Sequence, residues 1–177
     1  MRGTHRFLTL LTAITLTAIS AATAQSHPQT RKGFWIGFGL GYGSLGLEGA
    51  SEREGAISGY LKMGGTVGPK LLLGGESNGW VKDDLFGNAL TVGNASFTAY
   101  YYPNPESGLL LRGGIGFATY QVEGFDAETG VGLVFGIGYD ARVGANTSIT
   151  PVLNFNWGDV GAITQSVVQL AVGVTFH

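Results

Sequence analysis

Residues 33–43 read GFWIGFGLGYG, in which every second residue is apolar or aromatic and the residues between them are glycine at all positions but one. Side chains of a β-strand alternate between its two faces, so this stretch predicts a strand with one apolar face and one face of very small residues. A helix is disfavoured because each interior glycine lowers helix stability by about 1 kcal/mol relative to alanine.

The same alternation recurs along the chain and predicts eight strands in all. The seven further segments cover residues 56–67, 70–78, 89–102, 109–120, 132–142, 149–157 and 168–176. In the fourth strand the apolar residues change face between Val92 and Phe97, which predicts a β-bulge between the two halves.

The connections between these strands are of two kinds. Short connections at 68–69, 103–108 and 144–146 alternate with longer, more acidic ones at 44–55, 79–88, 121–130 and 158–165. Transmembrane barrels have short periplasmic turns and longer external loops, and an even number of strands leaves both termini in the periplasm. The pattern therefore predicts an up-and-down barrel with periplasmic termini.

Alternation alone leaves two orientations of such a barrel open. A soluble, lipocalin-like barrel has an apolar interior and a polar exterior, and a transmembrane barrel has the reverse. Here the residues opposite the apolar face are mostly glycine, alanine, serine and threonine, which are too small to cover a water-exposed exterior. They suit the narrow lumen of an eight-stranded barrel, so we predict an all-β, antiparallel transmembrane barrel.

The beginning of the chain has the features of a secretory signal. Arg2 and Arg6 precede an apolar stretch at 7–18, and the small-residue motif Ala22-Thr23-Ala24 follows. This order predicts a signal peptide at 1–24, a short periplasmic segment at 25–32 and the barrel at 33–177. The alternative is a membrane anchor, but the apolar stretch is short and interrupted by threonines, whereas a spanning helix needs about 20 apolar residues.

Composition excludes several other classes of protein. The chain has no cysteine, which excludes disulfide scaffolds and structural thiolate–metal sites. Its formal charge of −2 becomes −4 once Arg2 and Arg6 are removed with the signal peptide, so no basic patch for nucleic acid is expected. A hydrophobic content of 44% is too high for a disordered chain.

Both ends of the predicted barrel resemble the small outer-membrane β-barrels of the OmpA and OmpX type. The stretch 33–42 is similar to their glycine-aromatic first strand, and the last strand is similar to the signal read by the barrel-assembly machinery, through Leu170, Val172, Gly173, Val174 and Phe176. His177 departs from the usual final phenylalanine. The resemblance implies a bacterial outer-membrane location, with outer-membrane lipid and lipopolysaccharide as surroundings.

Four charged residues fall on the face that points into the predicted lumen: Lys62, Glu76, Arg112 and Asp140. Lysine or arginine facing lipid at the bilayer midplane is unfavourable by about 2 to 4 kcal/mol, which favours placing them inside. The resemblance implies that such charges form an ion-pair network that fills the lumen and closes the barrel. The alternative is that some lie near strand ends and are hydrated.

Two further groups of residues have competing interpretations. The long loops hold nine of the 12 acids, which either bind divalent cations that bridge lipopolysaccharide or are ordinary solvated residues. Aromatic residues near strand ends either form interfacial girdles or pack inside the lumen, with Trp35 the clearest inward case: Trp35, Trp80, Tyr100, Tyr101, Tyr102, Tyr120, Tyr139 and Trp157.

No catalytic role is expected. Enzymatic barrels need a histidine near a nucleophile, but His5 is lost with the signal peptide, and His27 and His177 lie at the periplasmic ends of the barrel. We expect no cofactor and no metal. The predicted function is that of a monomeric structural or surface-interaction protein; the alternatives are a narrow channel, a carrier of small apolar ligands, or a soluble periplasmic binder.

Overall fold

A computed structural model of the chain describes residues 29–83 and 89–177. These residues form nine strand segments: β1 (Phe34–Leu47), β2 (Glu54–Gly68), β3 (Leu71–Asp83), β4 (Ala89–Tyr101), β5 (Leu109–Val122), β6 (Glu128–Tyr139), β7 (Ala141–Arg142), β8 (Thr147–Val160) and β9 (Ile163–Phe176). The predicted signal peptide lies outside the described residues. In these two ranges, no helix is both long and apolar enough to cross a membrane.

The strands close into one antiparallel barrel. Each of β1 to β6 pairs with its neighbour in sequence, β8 pairs with β9, and β9 pairs with β1. The two-residue β7 continues β6 beyond Asp140, and both pair with β8. The nine segments therefore form a barrel of eight strands. The predicted eight-stranded, up-and-down fold is confirmed. Closure leaves no free sheet edge.

The apolar face of the strands points outward. Leu40 is 70% exposed and Phe117 67%, whereas Lys62, Asn154 and Gln169, which lie on the opposite face of their strands, are buried inside. This is the orientation predicted from the small residues opposite the apolar face, and it is the reverse of a soluble barrel built around an apolar ligand cavity.

Glycines on the inner face make room for large side chains in the narrow bore. A Cβ added to Gly39 would lie 2.6 Å from the ring of Tyr60, and one added to Gly173 would lie 2.2 Å from its hydroxyl oxygen. The two glycines belong to adjacent strands, since Gly39 pairs with Gly173 across β1 and β9. They allow a tyrosine to lie across the barrel interior.

The predicted β-bulge in the fourth strand is wrong. β4 pairs in continuous register with both β3 and β5, and a register shift occurs instead between Thr66 and Gly68 of β2. The apolar residues change face because the lumen itself is apolar at this end. Val92 is buried there against Leu45 and Trp80.

The predicted long connections are shorter than expected because the strands continue through them. β8 runs to Val160 and β9 begins at Ile163, so the predicted loop 158–165 is a two-residue turn in which Gly161 has φ of +61°. We call this end of the barrel, with connections 48–53, 123–127 and 161–162, the distal end. The proximal end holds residues 29–33, 102–108, 143–146 and His177.

Candidate functional site

The lumen is filled along its length, and its character changes from one end to the other. An aromatic and leucine cluster occupies the proximal half: Trp35, Leu72, Tyr100, Tyr102 and Leu110. A second apolar cluster occupies the distal half: Leu45, Trp80, Val92 and Val167. Buried charged and amide residues lie between and around these clusters.

A buried ion pair joins two strands across the interior. Arg112 of β5 donates a hydrogen bond to the carboxylate of Glu76 of β3, and neither side chain is more than 3% exposed. Tyr100 of β4, the strand between them, donates its hydroxyl hydrogen to the second carboxylate oxygen at 2.5 Å. Charges buried in a low-dielectric interior need such partners, because an unpaired buried charge is strongly destabilising.

Lys62 lies beside this pair. It is the register partner of Glu76 across β2 and β3 and is 3% exposed. Its ammonium nitrogen lies 5.3 Å from the centre of the Tyr100 ring and 5.8 Å from that of Tyr60. At these distances the faces of the two rings attract the cation.

Asp140 belongs to a different group at the proximal end. Its two carboxylate oxygens accept hydrogen bonds from Tyr102 and Thr150, both at 2.7 Å. The side chain of His177 is also buried here, with Nε2 at 3.6 Å from Asp140 Oδ2. All four predicted lumen charges are therefore inside. Glu76, Arg112 and Lys62 are neighbours, and Asp140 has its hydrogen-bond partners at the proximal end but also attracts Lys62 electrostatically.

Residues 29–31 close the proximal end of the bore. Arg31 stacks on the ring of Tyr102 at 3.6 Å and donates hydrogen bonds to the carbonyl oxygens of Pro105 and Ser107. Gln29 donates to the main-chain carbonyl of Asp140 at 2.8 Å. The described part of the predicted periplasmic segment is thus packed on the barrel.

His177 is also a part of this closure that sequence reasoning missed. Its side chain is 1% exposed and turned inward, whereas Phe176 before it faces outward. Burial lowers the pKa of His177, and this effect outweighs the nearby Asp140 carboxylate, which acts in the opposite direction. The only sequence signal for this position is the alternation of faces along β9, which places residue 177 on the inward face.

The girdle interpretation is wrong for the four most buried aromatic residues. Each is 1% exposed and lies in the lumen: Trp35, Trp80, Tyr100 and Tyr102. Trp80 also donates its indole hydrogen to the carbonyl of Gly43 at 3.0 Å. Tyr120 packs against the distal cluster, whereas Tyr101 is 45% exposed on the outer face. The four buried aromatic residues occupy inward-facing positions of their strands, where glycines on the inner face leave room for large rings.

A small cavity of about 20 Å³ lies in the distal half of the lumen. Five amide side chains from four strands line it: Asn78, Asn94, Asn156, Gln165 and Gln169. Trp80 and Val92 of the distal cluster form part of its wall. Asn78 and Asn94 are register partners in the β3–β4 hairpin, and this hairpin faces the β8–β9 hairpin only when the barrel closes. Beyond their inward-facing positions, the sequence therefore gives no sign that these amides meet.

No protein-family model and no curated protein matches the chain in sequence. Solved structures do match. Neisserial surface protein A is 16% identical, with 83% of this chain and 98% of that chain covered and a TM-score of 0.59. Ail, the attachment invasion locus protein of Yersinia pestis, is 13% identical, with 83% and 100% covered and a TM-score of 0.57.

The chain has the fold of the small outer-membrane β-barrels. The OmpA/OmpX-type fold that the two ends of the sequence predicted is thereby confirmed. Ail has also been solved with the heparin analogue sucrose octasulfate, in a structure that matches this chain with 14% identity, 83% and 100% coverage and a TM-score of 0.53.

Proposed function

We propose that this chain is an integral outer-membrane protein of a bacterium, with a filled lumen and a structural or surface-interaction role, and without catalysis. The observation that carries the proposal is the combination of a continuous apolar exterior with a closed interior. The apolar exterior needs lipid around it. Because the interior is closed, the outer surface of the strands and the loops are the parts available to other molecules.

The exterior supports insertion in a membrane. Large apolar side chains that are at least half exposed occur on strands around the barrel, and include Phe34, Phe38, Leu40, Ile57, Phe97, Ile115, Phe117, Phe135 and Val172. Soluble monomers rarely expose contiguous apolar patches beyond a few hundred Å². The strands have 12 to 15 residues apart from β7, which exceeds the roughly 9 to 11 needed to cross a bilayer at a tilt.

Fractionation of cells that express the whole chain tests this proposal. We expect the protein to stay in the outer-membrane pellet after a sodium carbonate wash, and to change its gel mobility on boiling as an unfolding barrel does. Recovery in the soluble wash would contradict membrane insertion and would favour the soluble periplasmic binder.

The filled lumen favours a structural role over a channel. Trp35, Leu72 and Tyr100 occupy the bore with no more than 1% exposure each, and Arg31 covers the proximal end. We expect purified protein in a planar bilayer to carry no steady current. A stable unitary conductance would favour the alternative of a narrow passive channel.

The distal surface limits the kind of molecule that this protein would bind. Its described acids are all exposed: Glu48, Glu52, Glu54, Asp83, Glu123, Asp126, Glu128 and Asp159. The cations nearby are engaged, since Arg53 donates to Ser44 and Ser166 and Lys82 pairs with Glu54 at 2.7 Å. Such a surface favours divalent cations that bridge lipopolysaccharide, and it would repel a polyanion.

The last strand supports recognition by the barrel-assembly machinery. β9 places Val172 and Phe176 on the outer face, with Leu170 and Val174 partly exposed beside them, while Gly173 faces inward next to Tyr60. We propose that these five residues form the assembly signal and that the protein inserts as a monomer. Phe176→Ala is expected to lower the amount of assembled barrel in cells while the purified chain still refolds in detergent.

A further inference from the structure

The amide-lined cavity in the distal half of the lumen contains polar groups that the protein itself does not satisfy. The side-chain oxygens of Asn78, Asn94, Asn156 and Gln165 are buried without a hydrogen-bond partner, as are the amide nitrogens of Asn78 and Asn94. Each of these side chains belongs to a residue that is at least 92% buried. Leaving such groups unsatisfied destabilises the folded state, so a bound species is expected there.

The balance of donors and acceptors indicates what that species is. Four oxygens and two nitrogens lack partners among the residues that line the cavity, so acceptors are in excess. One of the two donor hydrogens of the Gln165 amide is already used, because it bonds to the carbonyl of Thr119 at 3.1 Å. Amide oxygens coordinate hard cations, and rings of carbonyl oxygens replace the hydration shell of a monovalent cation in ion channels.

The charges on the distal side favour a cation. Towards the proximal end, Glu76 is paired with Arg112 and Lys62 lies beside them, while Asp140, Arg31 and Arg142 are buried further along the bore. Towards the distal end, the exposed acids outnumber the bases and give that mouth a negative potential. Among the residues that the structure describes, no carboxylate lines the cavity, which disfavours a divalent ion. The volume of about 20 Å³ holds one water-sized body.

We propose that Asn78, Asn94, Asn156 and Gln165 form a binding site for a single monovalent cation of the size of Na⁺ or K⁺. The site joins β3, β4, β8 and β9, so an ion held by all four residues ties together strands from opposite sides of the barrel. Occupancy is expected to stabilise the folded barrel, because the site is absent from the unfolded chain.

Urea unfolding of the protein in detergent micelles, followed by tryptophan fluorescence, tests the site. Buffers contain K⁺, Na⁺ or tetramethylammonium nitrate at one ionic strength. We expect K⁺ or Na⁺ to stabilise the protein saturably, with the unfolding equilibrium constant falling tenfold when the ion is at nine times its Kd. The same unfolding midpoint in all three salts would overturn the proposal and would assign the cavity to water.

Three variants test whether the stabilisation by the cation arises at this cavity. Asn78→Leu and Asn156→Leu each remove one oxygen from the site, and each is expected to lose the dependence on the cation. Ser148→Ala is the matched control, because Ser148 has a fully buried hydroxyl without a partner but lies near the proximal end. Cation dependence that persists unchanged in both leucine variants would overturn the assignment.

A second measurement does not depend on the folding of the leucine variants. Trp80 lines the cavity, and in Trp35→Phe/Trp157→Phe it is the one remaining tryptophan of the three in the chain. Tl⁺ quenches tryptophan fluorescence through heavy-atom contact. We expect saturable quenching that K⁺ reverses; linear quenching that K⁺ does not affect would overturn the proposal.

Discussion

Buried charges in this lumen have partners from different strands, as Glu76 of β3 does in Arg112 of β5. The inward positions of Lys62, Glu76, Arg112 and Asp140 could be predicted from alternation together with the small size of the residues that share their face. The pairing of Glu76 with Arg112 could not, because the residues are 36 positions apart and alternation does not give the height of a residue along the barrel.

Removing one member of the central ion pair should destabilise the barrel strongly. Arg112→Ala leaves the Glu76 carboxylate buried with Tyr100 as its remaining hydrogen-bond donor among the contacts described. We expect the free energy of unfolding to fall by roughly 3 to 5 kcal/mol, measured by urea unfolding in micelles. The double variant Glu76→Leu/Arg112→Met should lose less than the sum of the single changes. Unchanged stability of Arg112→Ala would refute a structural role for the pair.

Acid should weaken the proximal closure through His177. Burial lowers the pKa of this histidine below its ordinary value of about 6.5, so below that pH the unfolded chain binds more protons than the folded one. Stability that is present above pH 6.5 is therefore expected to decline as the pH falls below it.

Comparison with His177→Gln at pH 8 and pH 5 isolates this contribution. The wild type should lose more stability between these values than the variant does, since glutamine does not titrate. Equal losses would show that His177 is accessible to protons in the folded barrel.

Strands were the most predictable elements, and their ends the least. Period-two alternation identified all eight barrel positions because lipid outside and a narrow bore inside demand different side chains at successive residues. It failed at β4 and at 158–165, where the distal lumen is apolar and the strands extend further than the apolar exterior requires. At those places polarity no longer reports which way a residue faces.

The inward glycines of β1 should tolerate side chains poorly. In Gly39→Ala the new methyl group would lie 2.6 Å from the Tyr60 ring, which must move within a filled bore. We expect a loss of about 1 to 3 kcal/mol in the free energy of unfolding. Gly65→Ala is the control, because the equivalent methyl group on the outer face of β2 would meet nothing within 4 Å. Equal losses of unfolding free energy in the two variants would mean that crowding inside the bore does not cause the loss.

At the scale of the whole molecule, the orientation of the barrel in the membrane decides which loops meet the outside. We propose that the proximal end faces the periplasm, in keeping with the pattern of barrels with an even number of strands. Loop length does not decide the matter, because the proximal connection 102–108 is longer than the distal turn 161–162.

Cysteine labelling on whole cells measures the orientation directly. The chain has no cysteine, and Ala162 and Ala145 are exposed at the distal and proximal ends, so each position can be labelled alone. A membrane-impermeant maleimide should react with Ala162→Cys on intact cells, and with Ala145→Cys only after the outer membrane is permeabilised. The opposite result would reverse the proposed topology.

The closure around Asp140 has a practical consequence for engineering this protein. Gln29 and His177 reach the same aspartate from segments that are remote in sequence. An affinity tag appended after His177 would therefore disturb the burial of that side chain beside Asp140. A fusion joined just before Gln29 would disturb the hydrogen bond from Gln29 to the main-chain carbonyl of Asp140. Epitopes inserted between Gly161 and Ala162 avoid both contacts and leave the interior of the protein untouched.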